Sequence, residues 1–431
     1  MKRETSDWIP GVAVAITGLR FQGTFPDFKT ITTNIKLGLI ILVLLVSGSL
    51  SAQTDEKKKL MEIYGFIMMD AGYDFNQIDP NWYDVVRPTK LPAFKNQYGT
   101  DGNFFFSVRQ TRFGVKNYFE TPMGELKTQF EFEMFGTGVD AGQTTIRLRH
   151  AYAELGKFGA GQYWSPFMDI DVFPNTVEYW GPNGMAFFRN VQVRYMPIQG
   201  DTRLTIALER PGASADAGVY ADRIELQSIK SRFPYPDLSA EYRQAFKFGY
   251  IELAGIVRRM EWKDQNTTPP DYSGHATGWG LNLSTNIKLG SKTVFRGQAL
   301  YGEGVENYMN DAPVDVALKN NPSNPNLPVE GVALPVTGLV GFLDINWNAK
   351  FSTAVGYSRL NIDNSDGQSP SDFRYGQYAI ANLAYYPVKN AMMVIEFQWG
   401  DRHNFTDGWS TTITKIQASF KYNFSHVFYK E

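Results

Sequence analysis

TTIRLRHAYAELGKFGAGQYW, residues 144–164, sets two alternating strands back to back with almost no connection between them. Ile146, Leu148 and Tyr152 fall on one side of a period-2 ladder, with Arg147 and Arg149 on the other. A soluble sandwich turns such a polar face to bulk water, whereas a membrane barrel turns it to an aqueous lumen. The rest of the chain decides between them.

Working outward, about sixteen alternating segments run to the C-terminus. They lie near 61–70, 103–115, 126–135, 144–155, 157–163, 187–197, 202–209 and 237–246, then 248–259, 276–287, 293–303, 337–347, 350–360, 375–386, 391–402 and 411–424. Their connections alternate in length. Gly156, PIQGD (197–201), Lys247, KLGSK (288–292), 347–350 and PVKN (387–390) are short; 71–102, 164–186, 210–236, 260–275, 304–336 and 361–374 are long. A sandwich has no reason to sort its loops by parity, but an outer-membrane barrel does, with tight periplasmic turns and long extracellular loops. An all-β transmembrane antiparallel barrel follows, both termini on the periplasmic side.

The faces agree with lipid on one side and water on the other. Phe130, Phe132 and Met134, Val191 and Val193, Ile206 and Leu208, and Met393, Ile395 and Phe397 carry no charge on the lipid side. Lys127, Gln129, Glu131 and Glu133, Gln192 and Arg194, Arg203 and Glu209, Arg243, Arg296, Asp344, Glu396, Lys415 and Lys421 would line the lumen. A net charge of -2 gives no sign of nucleic-acid binding, and 15% aromatics with no Cys suit the Gram-negative envelope. A mean hydropathy of -0.30 is compatible with a barrel, whose strands meet lipid only at every second residue.

KLGLIILVLLVSGSLSA (36–52) has a basic flank, a short apolar core and a small-residue end, the pattern of a secretory signal peptide with cleavage after Ala52. Its core is too short to span ~30 Å of hydrocarbon as a helix. The expected organisation is residues 1–52 as N-terminal extension and signal peptide, 53–60 as a short periplasmic tail, and 61–431 as the barrel.

RQTRFGVK (109–116), GELKTQFEFE (124–133), RLRHAYAEL (147–155), GQYWSPFMD (161–169) and RNVQVRY (189–195), in that order and spacing, resemble the DcaP-like porins. The resemblance implies a homotrimeric, sixteen-stranded outer-membrane channel for small anionic solutes such as carboxylates. The chain departs from the family in having no room before the barrel for two coiled-coil heptads, and in ending SHVFYKE, so that Phe424 or Phe428 would act as the strand-terminal aromatic.

Arg147 and Arg149, with Arg109, Arg112, Arg189 and Arg194, are the expected solute contacts, because a guanidinium offers a planar fork to a carboxylate in a narrow pore. The bland reading is that they brace Glu131, Glu133 or Glu154 in the wall. Arg109 and Arg112 differ in parity, so at least one of them needs a bulge, a rim position or a subunit contact. The aromatic-rich loop 164–186, opening at Trp164, is the expected constriction, its Asp169, Asp171 and Glu178 facing the arginines across the eyelet. Those three carboxylates could instead cage calcium, but EF-hand spacing is missing. Only His150, His275, His403 and His426 exist, with no nucleophile elbow and no His-Glu-x-x-His, so no enzyme, cofactor or metal is expected. The competing class is a non-conducting barrel with a structural or adhesive role through its loops.

Overall fold

Lys59 pairs with Tyr429 and Asp74 with Lys415, so the first and last strands zip together and leave the sheet no free edge. The computed structural model describes residues 58–266 and 269–430, and its main sheet is a closed antiparallel barrel of sixteen staves. In chain order these are β1 (Lys59–Asp74), β2 (Asn103–Ser107 continued by Arg112–Thr121), β3 (Gly124–Phe135), β4 (Thr144–Leu155), β5 (Phe158–Trp164), β6 (Arg189–Ile198), β7 (Arg203–Glu209) and β8 (Ile229–Arg232 continued by Asp237–Phe246). Then come β9 (Gly249–Asp264), β10 (Gly274–Leu289), β11 (Thr293–Glu303), β12 (Pro335–Asn348), β13 (Phe351–Ile362), β14 (Phe373–Tyr385), β15 (Ala391–Asn404) and β16 (Ser410–Tyr429). The expected signal peptide lies outside the described residues, and β1 already begins where the tail was expected to continue.

The end bearing both chain ends of the barrel has only tight turns, from two residues at 156–157 to five at 386–390. Gly156 takes φ +59°, a backbone conformation that lets so short a turn close. The opposite end carries the segments 75–102, 136–143, 165–188, 210–228, 265–273, 304–334, 363–372 and 405–409. Val316–Asn320 and Val329–Ala333 pair there as a hairpin, with Ala215–Asp216 added in parallel.

Period-2 reading fails at two places, both where the ladder is irregular. Between Glu131/His150 and Phe132/Leu148 the register of β3 and β4 shifts, leaving Arg149 as the extra residue. Ile146 and Leu148 therefore face lipid, Ile146 69% exposed, while Tyr152 lies buried on the inner face opposite Gln129 instead of sharing their side. In β2 the ladder stops at 108–111, where the Thr111 N–H bonds the Val108 carbonyl at 3.0 Å. That break resolves the parity conflict between Arg109 and Arg112.

The lumen is lined by polar residues and filled largely by chain from the loop end. Segment 165–188 runs down the inner wall of β10–β15. Asn282 donates to the Phe167 carbonyl at 2.9 Å, Asn175 N–H reaches Asp344 at 3.2 Å, and the Val177 and Glu178 N–H groups bond Glu396 at 3.0 and 2.8 Å. Gly184 sits so close that a Cβ would meet the Arg359 carbonyl oxygen at 2.2 Å, which lets loop backbone lie directly on wall backbone.

Candidate functional site: an arginine cluster on the lumen wall

β2, β3 and β4 are adjacent, so inward positions on the three strands converge on one patch of wall. Glu131 and Glu133, two residues apart on β3, project there together. Around them the fold gathers four guanidinium groups. Arg149 lies 2.7 Å from Glu131 and 2.5 Å from Glu133, Arg112 is 3.1 Å from Glu133, and Arg147 and Arg189 each stand 3.8 Å from Glu133. Tyr179, from the inward loop, donates its hydroxyl to Glu133, and Tyr64 donates to Glu131 at 2.8 Å. Four cations against two carboxylates leave the patch with an excess of about two positive charges.

The four are not equivalent. Arg149 is only 3% exposed and is spent on its two carboxylates. Arg147 is 29% exposed and points into a cavity of about 320 Å³, shared with Arg87, Arg189, Tyr179, Trp180 and Glu306. Arg87 comes from the first long loop; burial pulls its guanidinium below the usual range, and the Asp311 carboxylate at 2.8 Å opposes that shift. Its guanidinium lies 4.1 Å from the ring centroids of both Trp82 and Trp180. Glu306 is buried with neither oxygen hydrogen-bonded, and burial together with Asp315 holds its carboxyl well above the ordinary carboxylate range, favouring the neutral form.

Two of the predicted arginines lie elsewhere. Arg109 sits at the β2 break, fully buried, its guanidinium forked onto Asp84 of the first long loop and stacked 4.1 Å from the Phe135 ring centroid. It ties that loop to the wall. Arg194 donates to Gln192 and to the Trp164 carbonyl and lies over the Tyr152 and Tyr163 rings. Trp164 itself lies edge-on to His150, and the Arg149 and Arg189 guanidinium groups lie 5.3 and 5.2 Å from its ring centroid.

The inward loop was expected to set Asp169, Asp171 and Glu178 against Arg147 and Arg149, and the structure arranges them differently. Asp169 is buried against Arg243 at 2.6 Å, the Tyr250 hydroxyl at 2.7 Å and the Ser284 hydroxyl at 2.7 Å. Asp171 pairs with Arg243 at 2.6 Å. Glu178 faces no arginine; it accepts from the Val86 and Trp180 N–H groups at 2.9 Å each, from Gly181 N–H, and from the Tyr378 hydroxyl at 2.7 Å. The reason is the path of the loop: Asp169 and Asp171 fall against β8–β10, and Glu178 turns to Val86, to the loop's own backbone and to Tyr378 of β14, while its neighbour Tyr179 is the residue that reaches Glu133. With Asp169 and Asp171 held at β8–β10 and Glu178 at Tyr378 of β14, the three carboxylates do not come together as an oxygen cage for calcium.

Two acidic partners complete that second cluster. Arg203 meets Glu241 at 3.2 Å and Glu252 at 2.9 Å, and Arg243 meets Glu252 at 2.7 Å. Arg203 and Arg243 thus face Asp169, Asp171, Glu241 and Glu252, an acidic excess low on β7–β9, near the turns, where the first patch is basic. Sequence reasoning missed Arg87 and Glu252. Glu252 was legible, since it sits on the inward face of a strand that alternates; Arg87 was not, because no periodicity governs a loop.

A family model described as DcaP outer membrane protein matches residues 47–424. Among solved structures, the outer membrane channel DcaP of Acinetobacter baumannii is similar with a TM-score of 0.67 at 21% identity, covering 87% of this chain and 100% of that one. The anion-selective porin from Comamonas acidovorans gives 0.54 at 8% identity, over 84% of this chain and 99% of that one. Outer-membrane expressed OmpT of Vibrio cholerae gives 0.53 at 12% identity, over 86% and 100%. No curated protein sequence matches the chain. At these identities the structural likenesses speak for the fold.

Proposed function

The chain belongs to the DcaP outer membrane protein family, whose members are outer-membrane channels and not a class of enzyme, and from that premise we propose that it is a passive pore preferring small anions, carboxylates among them. The observation that carries the preference is the charge excess beside the cavity: Arg112, Arg147, Arg149 and Arg189 around Glu131 and Glu133. An anion entering the cavity meets guanidinium groups that the wall carboxylates only half neutralise. Asp169, Asp171, Glu241 and Glu252 lie some five to seven strands further round, counted from β3 to β8–β10, so a permeating ion feels a field across the lumen as well as along it.

The functional form is a homotrimer. In its support, the loop-end rim of β2 and β4 exposes Phe104 and Phe106, each 63% exposed, beside Val108 and Ile146, apolar surface in excess of what a rim facing water carries. Residues 1–52 act as a leader, and the short stretch before β1 leads from it into the barrel. A second reading, a non-conducting barrel, draws on the inward packing of 165–188 and of 75–102. Reversal potential in a planar bilayer under a potassium chloride gradient separates the readings. The proposal expects conductance with chloride favoured over potassium; a cation preference or an absence of conductance overturns it.

A further inference from the structure

On the outside of the barrel, strands β7–β10 carry charge at their loop end where β1 and β2 carry aromatics. Leu208, Leu238, Val257 and Trp279 stand in register as one row of outward side chains, and Trp279 meets Tyr301 edge-on at 5.8 Å, an aromatic pair of the kind that marks a membrane boundary. Further toward the loop end the same outward face turns basic. Arg259 follows Val257 and Arg210 follows Leu208; Arg232 is in register with Glu261, and Lys230 with Lys263. The alternation is unbroken along β9: Val257, Arg259, Glu261 and Lys263 point out while Arg258, Met260, Trp262 and Asp264 are buried. Among the described residues of this patch five cations face Glu261 and Asp271, with Glu303 at its margin beside Trp279. On β1, β2 and β4 the loop-end outward residues are Tyr73, Phe104, Phe106 and Ile146.

We propose that this patch binds the phosphate groups of a phosphorylated saccharolipid, of the lipid A type, in the outer leaflet of the membrane. Three observations carry this. The side chains point away from the lumen, so no permeating solute meets them. They lie one to three outward positions above the apolar row, about 7 Å per step along the strand, which is headgroup height. Their charge is in excess and arginine-rich, with Arg232 65% exposed at the side chain, as phosphate recognition requires.

The test uses the full-length protein in detergent, with lipid A, fully dephosphorylated lipid A and inorganic phosphate as probes, read by native mass spectrometry. Lipid A should bind about tenfold or more tighter than its dephosphorylated form, the scale of one or more lost charge-assisted contacts. The triple variant Arg232→Ser, Arg259→Ser, Lys263→Ser should lose that advantage, and Glu261→Gln, which frees Arg232 and Arg259 from a competing carboxylate, should tighten binding. Inorganic phosphate alone should not displace the lipid. Equal binding of both lipid forms, a triple variant that binds like the parent, or displacement by free phosphate overturns the assignment. Should the triple variant fail to fold, Glu261→Gln decides alone: unchanged or weaker binding rejects the site.

Discussion

Substituting Arg147 and Arg149 one at a time separates a solute contact from a wall brace within a single cluster. Arg147 borders the cavity and stands 3.8 Å from Glu133, so on the proposed anion pathway Arg147→Ser removes a charge facing the permeating ion and leaves the pairs of Arg149 with Glu131 and Glu133 intact. At ~5 Å from an anion, one unit charge contributes ~0.8 kcal/mol in water and ~3 kcal/mol at an effective dielectric of ~20. The lower figure alone is about a fourfold fall in anion occupancy. Arg149→Ser instead removes the group bonded to both Glu131 and Glu133 and leaves buried carboxylates short of a partner. Breaking such a pair costs about 3–5 kcal/mol, and because Arg112 still reaches Glu133 at 3.1 Å the lower end applies. The assay is reversal potential together with unfolding temperature on the same preparation, at low salt where screening is weakest. Arg147→Ser should cut the chloride-to-potassium permeability ratio about fourfold with its unfolding temperature unchanged, whereas Arg149→Ser should melt markedly earlier. If Arg147→Ser keeps the parent's reversal potential, or loses as much stability as Arg149→Ser, the division of labour drawn from the geometry is wrong.

Glu178→Ala removes the acceptor of four donors, two within the inward loop and two, Val86 N–H and the Tyr378 hydroxyl, that tie it to the first long loop and to β14, each costing about 1–3 kcal/mol when left unsatisfied; single-channel conductance should rise with more frequent voltage-driven closures, and an unaltered record would show that the loop is held elsewhere. If the proposed trimer uses this rim, the parent channels should close in threes and Phe104→Asp with Phe106→Asp should close singly; threes that persist in the variant would overturn the rim as the subunit contact. Asp372, in the 363–372 loop, is pushed up to about 6 by burial and by the nearby Asp216 carboxyl. A carboxyl raised above its unfolded pKa of ~3.9 holds its proton more tightly when folded, so its contribution is full below ~4 and is lost as pH rises through about 6. Exchange of the Phe405 N–H, which bonds the Asp372 carbonyl at 2.8 Å, should therefore quicken between pH 5 and pH 7 beyond the intrinsic rate, and Asp372→Asn should abolish the excess.

Strand number, order and the lipid face were legible in the chain, because alternation has a period of two and a lipid-facing position tolerates no charge over many strands at once. Val193, Ile206, Met393 and Ile395 read as outward and are outward. So were Glu131 and Glu133 legible as inward neighbours, since two residues on one strand face must project together. The fate of the arginines was not. Whether Arg149 meets solute or Glu131 depends on one bulge between β3 and β4, and a one-residue shift of register exchanges the two faces without any trace in composition. Arg109 turns to Asp84, 25 residues away, because a break at 108–111 frees it from the ladder. The partners of the Asp169 and Glu178 carboxylates were set by the path of a loop across β8–β14, and they come from residues up to 200 positions distant. Periodicity is a property of neighbours along the chain, so it reports which way a side chain points; which charge it meets there is decided by sheet closure and by loops that obey no period.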